Sequence, residues 1–198
     1  MPVLYYIRHG ETDMNVARRL QGSRNPVLND RGRQQASGCG DLLRDLFWRE
    51  GRKPLDFGYV SSPLKRARET MELLRGALGL NPHSYDVDDR LREVSYGEWE
   101  GLTLPEVESR FPGALGRRES DKWDFAPPGG ESYRSLSERT RAWVADLTQD
   151  TVITGHGGGV RALIALFQIM SEADATHADI AQGGVYVFSG AKVLFYGG

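Results

Sequence analysis

Leu4-Tyr5-Tyr6-Ile7-Arg8-His9-Gly10-Glu11-Thr12 is the stretch on which the reading of this chain turns. An apolar, β-prone run stops abruptly at an arginine, a histidine and a glycine. Continuous rather than alternating apolar character marks a strand buried on both faces, as in a parallel sheet. Open α/β sheets bind ligands outside the C-terminal ends of their strands, where Arg8 and His9 fall. An imidazole is a competent nucleophile or base near neutral pH. A guanidinium beside it can match two phosphate oxygens at once. Gly10 permits a sharp turn and the close approach of a ligand. Taken alone, the pair also fits a structural histidine next to a surface arginine.

Farther along, Thr151–Thr154 reads as a second strand running into Gly155-His156. Parallel strands place their C-terminal ends on one edge, so His9 and His156 can meet although far apart in sequence. Between them, Asn29 is a candidate N-cap for a helix from about Asp30 to Trp48. Phe57–Val60 reads as a strand. Ser62-Pro63 is expected to open the next helix, serine at the cap and proline at the first helical position. Arg66 then sits in that helix's first turn, where free N–H groups and the helix dipole favour an anion.

Tyr85–Val87 is a further short strand, and Arg90 to about Trp123 mixes loop with a short helix near Leu104–Phe111. Helices are expected at Ser132–Leu147 and Val160–Met170, and a terminal hairpin at Val185–Phe188 and Lys192–Phe195. Strands alternating with helices predict an α/β fold, a three-layer α/β/α sandwich around a mostly parallel sheet.

At 198 residues one domain suffices, and 39% apolar with 26% charged residues is ordinary for a globular protein. A net charge of -2 argues against a nucleic-acid surface built on bulk positive charge. Cys39, the single cysteine, falls in a predicted helix and allows no intrachain disulfide. The N-terminus lacks a basic n-region, and Val3–Ile7 is too short for a signal core or a membrane span. A cytoplasmic protein without a membrane partner is therefore expected.

The remaining motifs add to the first. Arg8-His9-Gly10-Glu11-Thr12, Asn15, Gln21-Gly22, Ser61-Ser62-Pro63-Leu64-Lys65-Arg66-Ala67, Leu91-Arg92-Glu93, Gly97-Glu98-Trp99-Glu100-Gly101 and Gly155-His156-Gly157-Gly158 occur in one order. Together they resemble the histidine phosphatase, or phosphoglycerate-mutase-like, superfamily, from about Val3 to about Ala165. The resemblance implies one phosphoglycerate-mutase-like domain over residues 1–198. It implies that His9 is phosphorylated, that Arg8, Arg66 and His156 bind the phosphoryl group, and that Glu93 is the proton donor. Asn15 would line the pocket, and Gln21 and Gly22 fall where family members contact substrate. Glu11 and Glu98 are rivals to Glu93. Arg24 could meet a second acidic group, and Tyr96, Trp99 and Trp123 could supply apolar walls. Gln182 stands about where many relatives carry asparagine, and is left out of the expected site.

Such a set suits phosphoryl transfer to histidine, where catalysis is mainly positioning plus stabilisation of charge on the equatorial oxygens. Two arginines and a second histidine can supply that without a metal or another cofactor. His9, His156 and Glu93 could in principle ligate a metal, but no short-range ligand spacing supports it. The expected activity is metal-independent hydrolysis of a small phosphorylated metabolite through a phosphohistidine. The alternative is a cofactor-dependent phosphoglycerate mutase, and a non-catalytic phosphate-binding protein ranks below both. The compact interval from Glu93 to His156 and the short run after the terminal hairpin favour hydrolysis over the mutase. A homodimer stays open.

Overall fold

The computed structural model describes residues 1–197. Leu4–Arg8 forms strand β1, buried from Leu4 to Ile7. Its side chains divide between two cores. Tyr5 and Ile7 enter one with Cys39, Leu43, Phe47, Met71 and Leu74. Leu4 and Tyr6 enter the other with Trp143, Val160, Leu163 and Ile164. Burial on both faces is the reason the run is apolar throughout.

Five more strands complete the sheet: β2 (Gly58–Ser61), β3 (Asp86–Val87), β4 (Thr151–Gly155), β5 (Gly184–Ser189) and β6 (Lys192–Gly197). Their order is β3-β2-β4-β1-β5-β6. The first four in that order run parallel, and β5 and β6 add an antiparallel hairpin beyond β1.

The helices are α1 (Asp13–Val16), α2 (Asp30–Arg49), α3 (Lys65–Ala77), α4 (Leu104–Arg110), α5 (Ala114–Ser120), α6 (Tyr133–Ala145), α7 (Gly157–Leu166) and α8 (Glu172–Ala175). Helices α2 and α3 supply one core, and α6, α7 and α8 the other, which gives the three layers. Among the described residues no helix is long and apolar enough to cross a membrane.

Helix α2 starts where its cap predicts: Asn29 accepts from the Gly32 N–H at 2.9 Å. Helix α3 does not. It begins at Lys65, three residues after the expected cap, with Leu64 at the N-cap, and the Lys65 N–H donates to Oδ1 of Asn25 at 2.6 Å. The hydroxyl of Ser62 is turned toward His156 instead, and only loosely accepts from the Leu64 N–H, at 3.4 Å. Helix α7 begins at Gly157, ahead of the expected Val160. Its first turn is all glycine, the residue with the weakest helix propensity after proline, which hides it from a propensity reading. Helix α5 lies in the region read as loop, and α1 is a single turn held by a Thr12–Asn15 capping box.

The loop after β1 lies directly on the first turn of α2. A methyl group at Gly32 would stand 2.1 Å from the Glu11 carbonyl oxygen, and one at Gly10 2.2 Å from that of Gly32. Gly38, farther along the same helix, faces open space. Gly32→Ala should therefore lose about 1–3 kcal/mol of stability by forcing backbone apart. Gly38→Ala should gain up to about 1 kcal/mol from helix propensity. Urea unfolding of both variants checks the pair, and equal effects would contradict the close approach.

Candidate active site

Strands β1 and β4 end together. Ile7 pairs with Thr154 and Arg8 with Gly155, and the His9 N–H donates to the Gly155 carbonyl at 2.9 Å. The imidazoles of His9 and His156 are thereby brought edge to face, with centroids 5.3 Å apart. Nδ1 of His9 lies 2.8 Å from the Gly10 carbonyl oxygen. A carbonyl can only accept, so Nδ1 carries the proton and Nε2 keeps its lone pair. Burial, and then the charges of Arg66 and Arg8, hold His9 well below the usual histidine range. Burial dominates in the same direction at His156, followed by Arg66 and His9.

A pocket of about 140 Å³ opens on this edge, lined by Arg8, His9, Asn15, Gln21, Gly22, Arg66 and Glu93 among others. Arg8 donates to the Ile180 carbonyl, and among the described residues its Nε has no partner. Arg66 is fully buried on α3. Its two terminal nitrogens donate to the carbonyls of Arg24 at 2.6 Å and Gly22 at 3.0 Å. Both guanidinium groups are thus oriented by neutral carbonyls. Burial lowers the proton affinity of each, Arg66 to about 10, which leaves both charged at neutral pH.

Glu93 reaches the pocket from the turn after Leu91. Its Oε1 accepts from the N–H groups of Val94 at 2.9 Å and Gly158 at 3.1 Å. The second bond places the carboxylate at the positive end of α7. The rivals are elsewhere: Glu11 accepts from Asn29 at 3.0 Å, and Glu98 lies in an exposed turn at Gly97–Trp99. Neither lines the pocket.

Several residues depart from expectation. His156 is fully buried behind His9 and does not line the pocket; its Nε2 lies 2.8 Å from the Ser62 hydroxyl. Asn15, by contrast, lines the pocket as expected; it turns its carbonyl oxygen to Thr12, which leaves its amide N–H₂ as the donor for a ligand. Arg24 enters the site through its backbone carbonyl, while its guanidinium packs beside Gly101. Of the three aromatic residues expected as walls, only Tyr96 reaches the pocket; Trp99 and Trp123 are core.

Gln182, left out of the expected site because it stands where many relatives carry asparagine, belongs to it: its amide donates to the His9 carbonyl at 2.8 Å and packs against Asn15. Arg161 and Arg19, which no motif of the sequence singles out, also line the pocket. Arg161 stands four residues after Gly157, which also lines the pocket, so helix periodicity from the glycine-rich start of α7 points to it. Among the described residues no group of three or more His, Cys, Asp and Glu is placed to hold a metal ion.

The family model of the histidine phosphatase superfamily (branch 1) matches residues 4–192. The chain belongs to the histidine phosphatase superfamily. It is an enzyme of that superfamily, and the relatives support the phosphatase reading over the mutase one. A glucosyl-3-phosphoglycerate phosphatase of Mycobacterium tuberculosis (strain ATCC 25618 / H37Rv) is 38% identical over 176 residues, 82% of this chain and 73% of that protein. A 2,3-bisphosphoglycerate-dependent phosphoglycerate mutase of Azorhizobium caulinodans is 28% identical over 94% of this chain and 91% of its own. Among solved structures, mycobacterial glucosyl-3-phosphoglycerate phosphatase in complex with VO3 superposes with a TM-score of 0.80 at 30% identity. That match covers 99% of this chain and 96% of the other.

The two neutral histidines make folding pH-sensitive with a defined sign. The unfolded chain takes up these protons near pH 6.5, whereas the folded chain resists them until well below. Stability should be full above that point and fall as pH drops below it, by about 1.4 kcal/mol per pH unit for each histidine. Urea midpoints between about pH 8 and about pH 5 test this. His9→Asn should remove one histidine's share of the slope, and an unchanged slope would place the sensitivity elsewhere.

Proposed function

We propose that the chain hydrolyses a small, acidic phosphomonoester through a phosphohistidine at His9. The observation that carries the proposal is the free Nε2 of His9, in a pocket shared with Arg8, Arg66 and Glu93. Nε2 attacks phosphorus in line with the ester oxygen, and the phosphorus–oxygen bond to the leaving group breaks. The carboxyl of Glu93 gives its proton to the departing oxygen. Arg8 and Arg66 balance charge on the equatorial oxygens, and Asn15 donates to the same group. In the second half, Glu93 takes a proton from water, hydroxide attacks the phosphohistidine, and inorganic phosphate leaves with Nε2 restored.

No step needs a metal, because the positive charge is built into the chain. His156 acts from behind His9. The fixed bond from Nδ1 of His9 to Gly10 keeps the attacking nitrogen unprotonated.

The relatives' names and the pocket together support a substrate class. Arg161 lines the pocket with its Nε donating to the Ala178 carbonyl at 3.0 Å, and among the described residues it forms no ion pair with a carboxylate. It is available to a second acidic group beyond the phosphoryl, as in a phosphoglycerate or a glucosyl-phosphoglycerate that keeps its carboxylate free. The test is turnover of glucosyl-3-phosphoglycerate, 3-phosphoglycerate and p-nitrophenyl phosphate, with and without 2,3-bisphosphoglycerate. Inorganic phosphate should be the main product and EDTA without effect. Formation of 2-phosphoglycerate faster than phosphate would instead make the chain a mutase.

Two sets of variants test the roles. His9→Ala should abolish turnover and the acid-labile phosphoprotein trapped from labelled substrate; label persisting in that variant would move the nucleophile. Glu93→Gln should lose far more phosphorylation rate with alkyl phosphates than with p-nitrophenyl phosphate, and should accumulate the phosphoenzyme. Arg66→Lys should lose on the order of 10²-fold in kcat, since an ammonium cannot reproduce the forked contact.

A further inference from the structure

Tyr6 is 1% exposed and does not line the pocket. Its hydroxyl nevertheless makes two contacts with one residue of the site. It accepts from the His156 N–H at 3.0 Å and donates to the His156 carbonyl at 3.3 Å. That carbonyl also accepts from the Val160 N–H at 3.3 Å, the first helical bond of α7. Tyr6 therefore holds both backbone polar groups of the residue that follows β4 and caps α7.

The surrounding glycines fit the hydroxyl. A methyl group at Gly155 would stand 2.0 Å from the Tyr6 oxygen, and one at Gly159 2.3 Å. The glycines on either side of His156 thus leave a notch that the hydroxyl fills. The same first turn of α7 aims Glu93, through the Gly158 N–H on Oε1. A methyl group at Gly158 would lie 2.3 Å from that oxygen.

We propose that the Tyr6 hydroxyl is a positioning group. Through the backbone of His156 it sets both the imidazole behind His9 and the N–H that orients Glu93. The proposal rests on the phosphohydrolase reading above. Tyr6 meets no reacting atom and acts only through these two residues. Phenylalanine in its place keeps the ring and its packing, but leaves a buried N–H unpaired at the point where α7 starts.

The test compares Tyr6→Phe with Tyr5→Phe. Tyr5 is equally buried on the opposite face, and its hydroxyl bonds Glu50 at 2.7 Å, away from the pocket. Tyr6→Phe should lower kcat about tenfold on an alkyl phosphate with little change in KM, since small displacements of acid groups act on the transition state. The loss should be smaller on p-nitrophenyl phosphate, whose leaving group needs no acid. Tyr5→Phe should leave kcat unchanged.

Gly159→Ala should also lose activity, because its methyl group meets the hydroxyl. In a Tyr6→Phe background the nearest ring carbon is 3.1 Å away, still a tight contact, so the added alanine should cost less there than in the wild type. A third readout needs no turnover: the imidazole ¹⁵N shifts of His156 should move in Tyr6→Phe and stay fixed in Tyr5→Phe. Moved shifts in a protein that hydrolyses no phosphomonoester would uphold the positioning and sink the hydrolase reading. Wild-type kcat with unmoved shifts in Tyr6→Phe would overturn the positioning. So would equal losses on both substrates that merely track a lower unfolding midpoint.

Discussion

The parallel pairing of β1 with β4 is the constraint on which the rest depends. It joins residues near opposite ends of the chain and sets both histidines at one sheet edge. Shifting the register by one residue would turn each side chain to the other face and separate the imidazoles. Apolar burial on both sides of β1 prevents such a slip, since Tyr5 and Ile7 belong to one core and Leu4 and Tyr6 to the other. The precision of the site is thus inherited from packing that contains no catalytic group.

Around that edge the chain leaves polar groups unsatisfied. Among the described residues, Nε of Arg8, Nε of Arg66, Nδ1 of His156 and Oε1 of Gln21 are buried without a partner. Native interiors rarely leave such atoms unpaired, and each asks for an explanation. These four belong to residues of the site, and three are nitrogens on cationic or imidazole groups; Nε1 of Trp99 and Nε1 of Trp123, also without a partner, lie in the core. The cradle is preorganised for an oxyanion, with its donors held in place by carbonyls rather than cancelled by carboxylates.

Much of this was legible in the sequence because it lies in local signals. The strand ending at Arg8-His9, the Asn29 cap and the run into His156 each use short-range chemistry, and each appears at its expected place. The phosphoryl-binding motifs were legible through family resemblance rather than through any local rule. What local sequence could not place depends on tertiary contacts. Gln182 joins the site only because the segment preceding β5 passes beside His9. Ser62 looks like a helix cap by type and position, yet its hydroxyl is drawn to His156 across the sheet. The glycine-rich turn of α7 defies propensity because the space it leaves is filled from elsewhere, by Tyr6 and Glu93.

The central place of β1 has a consequence during synthesis. It is the first strand to be made, but its two neighbours in the sheet, β4 and β5, come from the last third of the chain. A growing polypeptide must carry this apolar strand unpaired until those partners emerge. Long-range pairing of this kind is slow and exposes edges prone to aggregation. The topology that lets two distant histidines meet also makes the first strand wait, so its shelter until then must come from the early helices α2 and α3 or from a chaperone.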